Sequence, residues 1–387
     1  MNPMRVLYVL HTTDIYGGAT KAFATLLSGQ RERGVEPVVV APDEEGITPV
    51  LRDMGVEVVV LNYRPCLYPY WRGVKDYLLA VPRMLARLWV NWRASRALAA
   101  YLRQHPVDIV HTNTGVIDIG YRAARSAGIP HVYHVREYAD LDFHMHHFPS
   151  RRAFRRRLSR SWSIFITHGI QRHFGQEDNA RSLVIYDAIC PPQASLPATE
   201  EPRSCADAGG YFLFAGRIEA SKGLLTLLKA YNVDVPLKVA GAVFSEPYYA
   251  ACRRVVKERH LPVEFLGART DLPLLMRGAL ALVVCSPSEG FGLCMPEAMF
   301  QGCLVIGRNA AGTQEQYVAG ERLTGGPIGF PFNTEADLAR LLPYVAALPP
   351  AEADAYRQRA FTAVNTLYTT QASASAVAKL YETITAQ

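Results

Sequence analysis

No apolar, uncharged run reaches the roughly 18 residues that a membrane-spanning helix needs. Cys-x-x-Cys pairs are also missing. The seven cysteines (Cys66, Cys190, Cys205, Cys252, Cys285, Cys294 and Cys303) are odd in number and scattered. That distribution argues against a disulfide framework or a zinc site and fits reduced thiols in a cytoplasm. There is no short repeat or low-complexity tract, and no nucleic-acid module or aromatic-interleaved basic motif, so nucleic acid is not an expected partner. The apolar N-terminal residues (MNPMRVLYVLHTTD) run into polar sequence without a small-residue cleavage site. They read as a first buried strand rather than a signal peptide.

What is present is the composition of a globular protein with a large interior: 387 residues, 49% hydrophobic and 20% charged. That length exceeds one ordinary core and predicts two domains. In the first half, expected strands alternate with helical patterns. The strands are Arg5–Leu10, Glu36–Ala41, Glu57–Leu61, Asp108–Thr112, His131–Val135, Ser163–Thr167 and Ser182–Tyr186. The helical patterns are notably Ala19–Arg33, Pro82–Gln104 and Ile119–Ser126. The second half repeats the alternation, with strands expected over Tyr211–Ala215, Leu237–Ala240, Val263–Leu266, Leu280–Cys285 and Leu304–Ile306. An irregular stretch rich in Gly and Pro, 325–332, precedes helical sequence that runs to the end. Such alternation means parallel sheets covered on both faces. The expected fold is α/β: two Rossmann-like doubly wound domains facing across a cleft at the carboxyl ends of their strands. Prolines at 191, 192, 197 and 202 interrupt the pattern. They predict a linker at 191–209 between domains at 1–190 and 210–387, the last helix packing back on the first domain.

One stretch carries most of the chemistry: SPSEGFGLCMPEAMFQ, residues 286–301. It follows an apolar strand and opens a helix near Met295, with Pro296 where a first-turn proline costs no hydrogen bond. Strand, glycine-bearing loop and helix in that order aim backbone N–H groups, here of Phe291, Gly292 and Leu293, at a ligand above the sheet edge. Glu289 and Glu297 bracket the turn. Carboxylates cannot ligate phosphate, but they suit the hydroxyls of a ribose or a sugar. The plainer reading makes them a capping residue and a first-turn acid. The second half opens with YFLFAGRIEASKG, which places Gly216 and Arg217 at a strand end and Lys222 at a helix start. Two cations there can neutralise a diphosphate. A solvated pair is the alternative, yet cations oppose the dipole at a helix N-terminus, so the placement calls for an anion.

The first half offers less. Gly17 and Gly18 follow the first strand and would let backbone approach a ligand closely. His134 and Arg136 lie two apart at a strand end and point to one side, with Glu137 next. His144, His146 and His147 cluster, and Asp140-Leu141-Asp142 has the form of a two-aspartate metal motif. A metal site needs three or four converging ligands, and none is expected. Charge is uneven within a net of +6: Arg151, Arg152, Arg155, Arg156, Arg157 and Arg160 form an acid-free run. Upstream, Leu78, Val81, Leu85, Leu88, Trp89 and Trp92 keep helical spacing, with Arg83 and Arg87 on the other side. A basic amphipathic helix with tryptophans suits an anionic membrane surface; packing on its own domain is the ordinary alternative.

Glu, seven residues and Glu, carried as EGFGLCMPE with Ala298 following, resembles the signature of the retaining glycosyltransferases of family 4, which have the two-domain GT-B fold. Gly-Arg followed by Lys-Gly is similar to the diphosphate clamp of that family. The resemblance implies that Gly216, Arg217 and Lys222 hold the diphosphate, Glu297 the ribose and Glu289 the transferred sugar. Leu266, in VEFLG, resembles the strand under the nucleotide base. Gly17 and Gly18 are similar to the loop beside donor phosphates and acceptor. Arg136 stands where the family usually has a histidine, and His134 could substitute from the same face. In RNAAGTQE, residues 308–315, Ala311-Gly312 stands where a glycine pair is more usual.

The expected catalytic residues are therefore Glu289, Arg217, Lys222 and His134, with Gly17, Gly18 and Arg136 as the acceptor and phosphate loop. The implied activity moves a sugar from a UDP- or GDP-linked donor to an acceptor hydroxyl with retained configuration, using no metal and no further cofactor. The acceptor is expected to be a glycan or lipid-linked, in cell-envelope or capsular polysaccharide synthesis. The protein is expected in the cytoplasm or at the inner face of the plasma membrane. A nucleotide-sugar epimerase of the same fold would instead consume donor without acceptor, and a non-catalytic sugar-nucleotide-binding protein would bind without turnover. A hydrolase using the two glutamates would have no need of the two cations.

Overall fold

The computed structural model describes residues 3–69, 74–193, 195–196 and 210–387. In chain order its strands are β1 Arg5–Val9, β2 Glu36–Ala41, β3 Glu57–Val60, β4 Leu67–Pro69 and β5 Ile109–Thr112. There follow β6 His131–Val135, β7 Met145–His147, β8 Trp162–Phe165, β9 Ser182–Val184 and β10 Phe212–Ala215. The last are β11 Leu237–Ala240, β12 Val263–Gly267, β13 Ala281–Val284, β14 Leu304–Arg308 and β15 Phe330–Phe332. The chain divides into two compact units: Met1–Ala188 with Thr370–Gln387, and Ile189–Thr369.

The first unit holds a parallel sheet in the order β3-β2-β1-β5-β6-β8-β9. Its order reverses between β1 and β5, the kind of switch point where such sheets bind ligands. Alternation sends the two faces into separate cores. Val6 and Tyr8 pack with Phe23, Leu26 and Leu27 of the helix Gly18–Arg31. Leu7 and Val9 pack with Leu98 and Leu102 of the helix Val74–Gln104. The helix Thr370–Thr385 joins the first of these cores. It approaches so closely that a Cβ on Gly29 would stand 2.6 Å from that of Ala374.

The second unit holds a parallel sheet in the order β12-β11-β10-β13-β14-β15, with its switch between β10 and β13. Phe212, Phe214, Val239, Val283 and Ile306 form the inner layer of one face. Leu224, Leu227 and Leu228 of the helix Leu224–Ala230 cover them, together with Leu338 and Leu342 of Glu335–Ala346.

Three strands differ from expectation. β4 and β7 are three residues each and pair antiparallel, too short for a period-2 pattern to register. β15 lies in the stretch read as irregular. Its Pro331 is tolerated because β15 ends the sheet and pairs with β14 alone. The helix Val74–Gln104 starts before Pro82 and runs through it.

The first unit's main segment ends at Ala188, beside the expected domain end at 190, and the second unit begins at Ile189. Most of the expected linker at 191–209 lies outside the described residues. Its start belongs to the second unit. Cys190 forms a bridge with Thr369, and Gln193 donates its N–H to Asn365 Oδ1 at 2.9 Å while its carbonyl accepts from Nδ2 at 2.7 Å. Residues 370–387 return to the first unit.

Candidate functional site

In the second unit the expected residues gather at the carboxyl edge of the sheet. β13 is fully buried, and the chain leaving it turns through 285–293 into the helix Cys294–Phe300. Its neighbour β10 ends at Ala215 and passes through Gly216 and Arg217 into the single turn Ala220–Lys222. Gly223 follows with φ +71°, and a Cβ there would stand 2.5 Å from the Cys285 carbonyl oxygen. Glycine alone fits, and its close approach brings the two loops together. The result is a contact across 67 residues: Lys222 Nζ donates to Glu289 Oε1 at 2.6 Å. Burial works against the Lys222 charge, but Glu289 outweighs it and leaves the ammonium pKa raised. Lys222 is a fixed cation at neutral pH. Arg217 is more open; it pairs with Glu219 at 2.9 Å and lies 5.1 Å from the centre of the Phe244 ring.

The loop is held from behind. Phe291 is buried against Tyr368, their ring centres 5.1 Å apart. Gly312, in the helix Ala311–Thr324, donates its N–H to the Glu289 carbonyl at 3.0 Å. A Cβ on Gly312 would stand 2.6 Å from the Phe291 carbonyl oxygen, which also accepts from Gln316 Nε2. Gly292 takes φ +85°. Ala311 holds φ +48°, a left-handed conformation in which glycine would be at ease, at the place where the family resemblance leads one to expect a glycine. Leu293 precedes the helix, and Glu297 is half-buried in its first turn. Leu266 is half-buried near the end of β12, where the Gly267 carbonyl accepts the Gly241 N–H at 2.7 Å. Gly216, Arg217, Lys222, Leu266, Glu289 and the 291–297 turn thus share one edge of one sheet.

The first unit is built differently. Gly17 is in extended backbone at φ −69° and Gly18 opens the helix, so neither needs glycine's left-handed freedom. Ile15 and Tyr16, just before them, are exposed. His134, expected to be catalytic, is enclosed: it is 1% exposed, with Nδ1 3.2 Å from both His111 Nε2 and Arg136 Nη2. Burial, then the charge of Arg136, pushes its pKa well below the usual range. Behind it, His111 meets the Tyr381 hydroxyl at 2.6 Å, which donates to the Tyr8 hydroxyl at 3.2 Å.

Arg136 is buried as well. It pairs with Asp187 and donates Nε to the Asn113 carbonyl at 3.1 Å. Its charge, after burial, also holds His11 down at about 4. Glu137 accepts the Gly115 N–H at 2.6 Å, and burial, with Asp142 adding, raises its carboxyl to about 8. Sequence reasoning missed Asp187 and Tyr381. They lie 51 residues from Arg136 and 270 from His111, so no local spacing announces them.

The two-aspartate motif is occupied by its own unit. Asp140 pairs with His173 at 2.7 Å and Arg151 at 3.3 Å, and Asp142 accepts the Tyr138 N–H at 2.8 Å. Among the described residues no three His, Cys, Asp or Glu side chains converge as metal ligands do. The arginine run forms the helix Arg151–Leu158, from which Arg157 reaches Asp118 at 2.7 Å.

Comparison with known proteins agrees with this geometry. Residues 17–178 match the family model of the glycosyl transferase 4-like domain, and residues 204–360 match that of glycosyl transferases group 1. A search of curated proteins finds no significant match. Among solved structures, the chain is similar to Anabaena HepE in complex with UDP and glucose, at 19% identity over 98% of this chain and 100% of that one, with a TM-score of 0.74. It is similar to a glycosyltransferase from Rickettsia africae at 16% identity over 99% of each chain, TM-score 0.75. Sucrose-phosphate synthase from Thermosynechococcus elongatus matches at 17% identity over 99% of each chain, TM-score 0.72. At these identities the likeness is one of fold. The two family models together span most of the sequence, and the chain belongs to the group 1 glycosyltransferases, enzymes of the GT-B fold that transfer sugars from nucleotide-sugar donors.

Proposed function

We propose that this enzyme moves a hexosyl group from a UDP- or GDP-linked sugar to an acceptor hydroxyl, with retained configuration and without a metal or further cofactor. The observation that carries the reading is the Lys222–Glu289 contact. It sets a fixed cation suited to a diphosphate against a carboxylate suited to sugar hydroxyls, at a glycine-closed corner beside Arg217.

As the C1–O bond to the diphosphate breaks, its electron pair leaves on the β-phosphate oxygen and the sugar passes through an oxocarbenium-like state. Lys222 and Arg217, with the N–H groups of Phe291, Gly292 and Leu293, stabilise that charge in place of a metal. The acceptor oxygen bonds to C1 from the face the phosphate leaves. Its proton passes to the departing phosphate oxygen, so no protein nucleophile is needed. Glu289 holds hydroxyls of the transferred sugar, and Glu297 holds the ribose. The acceptor is a glycan or lipid-linked hydroxyl of cell-envelope or capsular polysaccharide synthesis, which sets the enzyme in the cytoplasm or at the inner face of the plasma membrane.

The test follows nucleotide release from UDP- and GDP-sugars, with and without acceptor glycans, in the wild type and in Lys222→Ala. Release that requires an acceptor, and falls on the order of a hundredfold or more in the variant, supports transfer. Donor isomerised in the absence of acceptor would assign the epimerase reading instead.

A further inference from the structure

The helix Val74–Gln104 carries more large apolar side chains than the fold covers. Ala94, Leu98, Ala99 and Leu102 turn inward to the core of the first unit. Earlier along the helix Val81, Leu85, Trp89 and Trp92 are 54%, 59%, 56% and 50% exposed. Steps of four, four and three residues set them in one stripe about 16 Å long. Lone exposed apolar residues need no explanation, but four large ones aligned on a helix mark an interaction surface.

The charge around this stripe is of one sign. Residues 77–107 contain no Asp or Glu, but they contain Arg83, Arg87, Arg93, Arg96 and Arg103. Arg87 is engaged internally, donating to the Leu67 carbonyl at 3.0 Å. The Arg93 guanidinium lies 4.8 Å from the Trp89 ring centre, and that of Arg96 lies 4.9 Å from the Trp92 ring centre. Two indoles facing solvent therefore each carry a cation at their side. A second copy of the helix laid on this face would bring arginine against arginine. A bilayer with anionic headgroups offers both complements at once. Indoles sit at headgroup depth, the aliphatic side chains reach the acyl boundary, and guanidiniums meet lipid phosphates.

We propose that Val81, Leu85, Trp89 and Trp92, flanked by Arg93 and Arg96, form a face that docks this enzyme on an anionic lipid bilayer. The inference rests on the reading of a membrane-borne acceptor and deepens it by assigning the surface. Its test is separate from turnover.

The full chain is sedimented with vesicles of phosphatidylcholine alone, or of phosphatidylcholine and phosphatidylglycerol in equal parts, at low and raised salt. Binding to the anionic vesicles should exceed that to neutral ones by about tenfold or more, and should weaken with salt. Tryptophan emission should shift to the blue on binding. Trp89→Ala/Trp92→Ala should abolish both signals, and Arg93→Glu/Arg96→Glu should reduce binding, with circular dichroism and Tm unchanged in each because these positions face solvent. Wild-type protein that ignores anionic vesicles, or binding that survives the double tryptophan substitution, would overturn the proposal. A concentration-dependent dimer broken by that substitution would overturn it too, since a second copy would then cover the stripe. Turnover on a soluble acceptor, measured in parallel, should be equal in wild type and variants. Vesicle binding without turnover in any form would strike the transfer reading and leave the docking face standing.

Discussion

Lys222 and Arg217 meet their glutamates at a sheet edge where the two cationic side chains are 25% and 41% exposed. Arg136 and Asp187, at the carboxyl edge of the other sheet, are 4% and 6% exposed. The two units share a topology, a switch point and the same kinds of charged group, yet they set them at opposite depths. A partly exposed pair such as Lys222 and Glu289, at 25% and 13%, can exchange its partner for a ligand anion, because solvent reaches the charge left behind. A sealed pair cannot, because removing one member strands the other in a low dielectric. The second unit is thus arranged to trade partners, and the polar centre of the first is arranged to keep a shape.

The comparison breaks first at Arg136. Arg136→Met should cost about 3–5 kcal/mol of stability, since Asp187 loses its buried partner, and adding Asp187→Leu should restore a good part of it. Denaturant titration of the three variants decides this, and a single substitution no worse than a surface change would show that the pair is not structural. Lys222→Ala should act on the other axis. Turnover is expected to fall on the order of a hundredfold to a thousandfold, with Tm close to wild type. A collapse of Tm there would erase the contrast between the units.

The pH dependence sharpens it further. The Glu137 carboxyl, ordinarily at 4.5, is raised to about 8 in the fold. The folded unit therefore holds a proton that the unfolded chain has released. Its contribution is fully present below the ordinary carboxylate value and is lost as pH rises towards about 8, by up to about 1.4 kcal/mol per pH unit. Glu137→Gln keeps an oxygen for the Gly115 N–H and should flatten that arm of the stability curve, as thermal melts across the range will show. The smallest expected effect is none: a chelator should leave turnover unchanged if Lys222 and Arg217 replace a metal. Activity lost to the chelator and recovered with magnesium would undo that assignment.

The second unit was the more legible. Gly216, Arg217 and Lys222 follow one strand within a few residues, and Glu289 to Glu297 follow another, so local order alone puts both groups at a carboxyl edge. What spacing could not show is that Lys222 touches Glu289, because Gly223 lying on the Cys285 carbonyl makes that contact. Nor could it show Ala311 held at positive φ. In the first unit the strands of the parallel sheet were legible, but the short β4–β7 pair and the polar centre were not. His134 reads like an accessible strand-end histidine until Tyr381, His111 and Asp187 arrive from distant parts of the chain to enclose it.

By itself the sequence determined the alternation of strand and helix, the two parallel sheets, the glycine-bearing turn between Glu289 and Glu297, and the acid-free helical pattern from Pro82 to Gln104. Each of these rests on periodicity or spacing over a few residues, which the backbone turns directly into direction. Depth was decided only by the tertiary structure. It left Lys222 half-buried and Arg217 open, sealed His134 and Arg136, and left Trp89 and Trp92 facing solvent. Exposure is a property of neighbours, and the neighbours that matter here are far away along the chain.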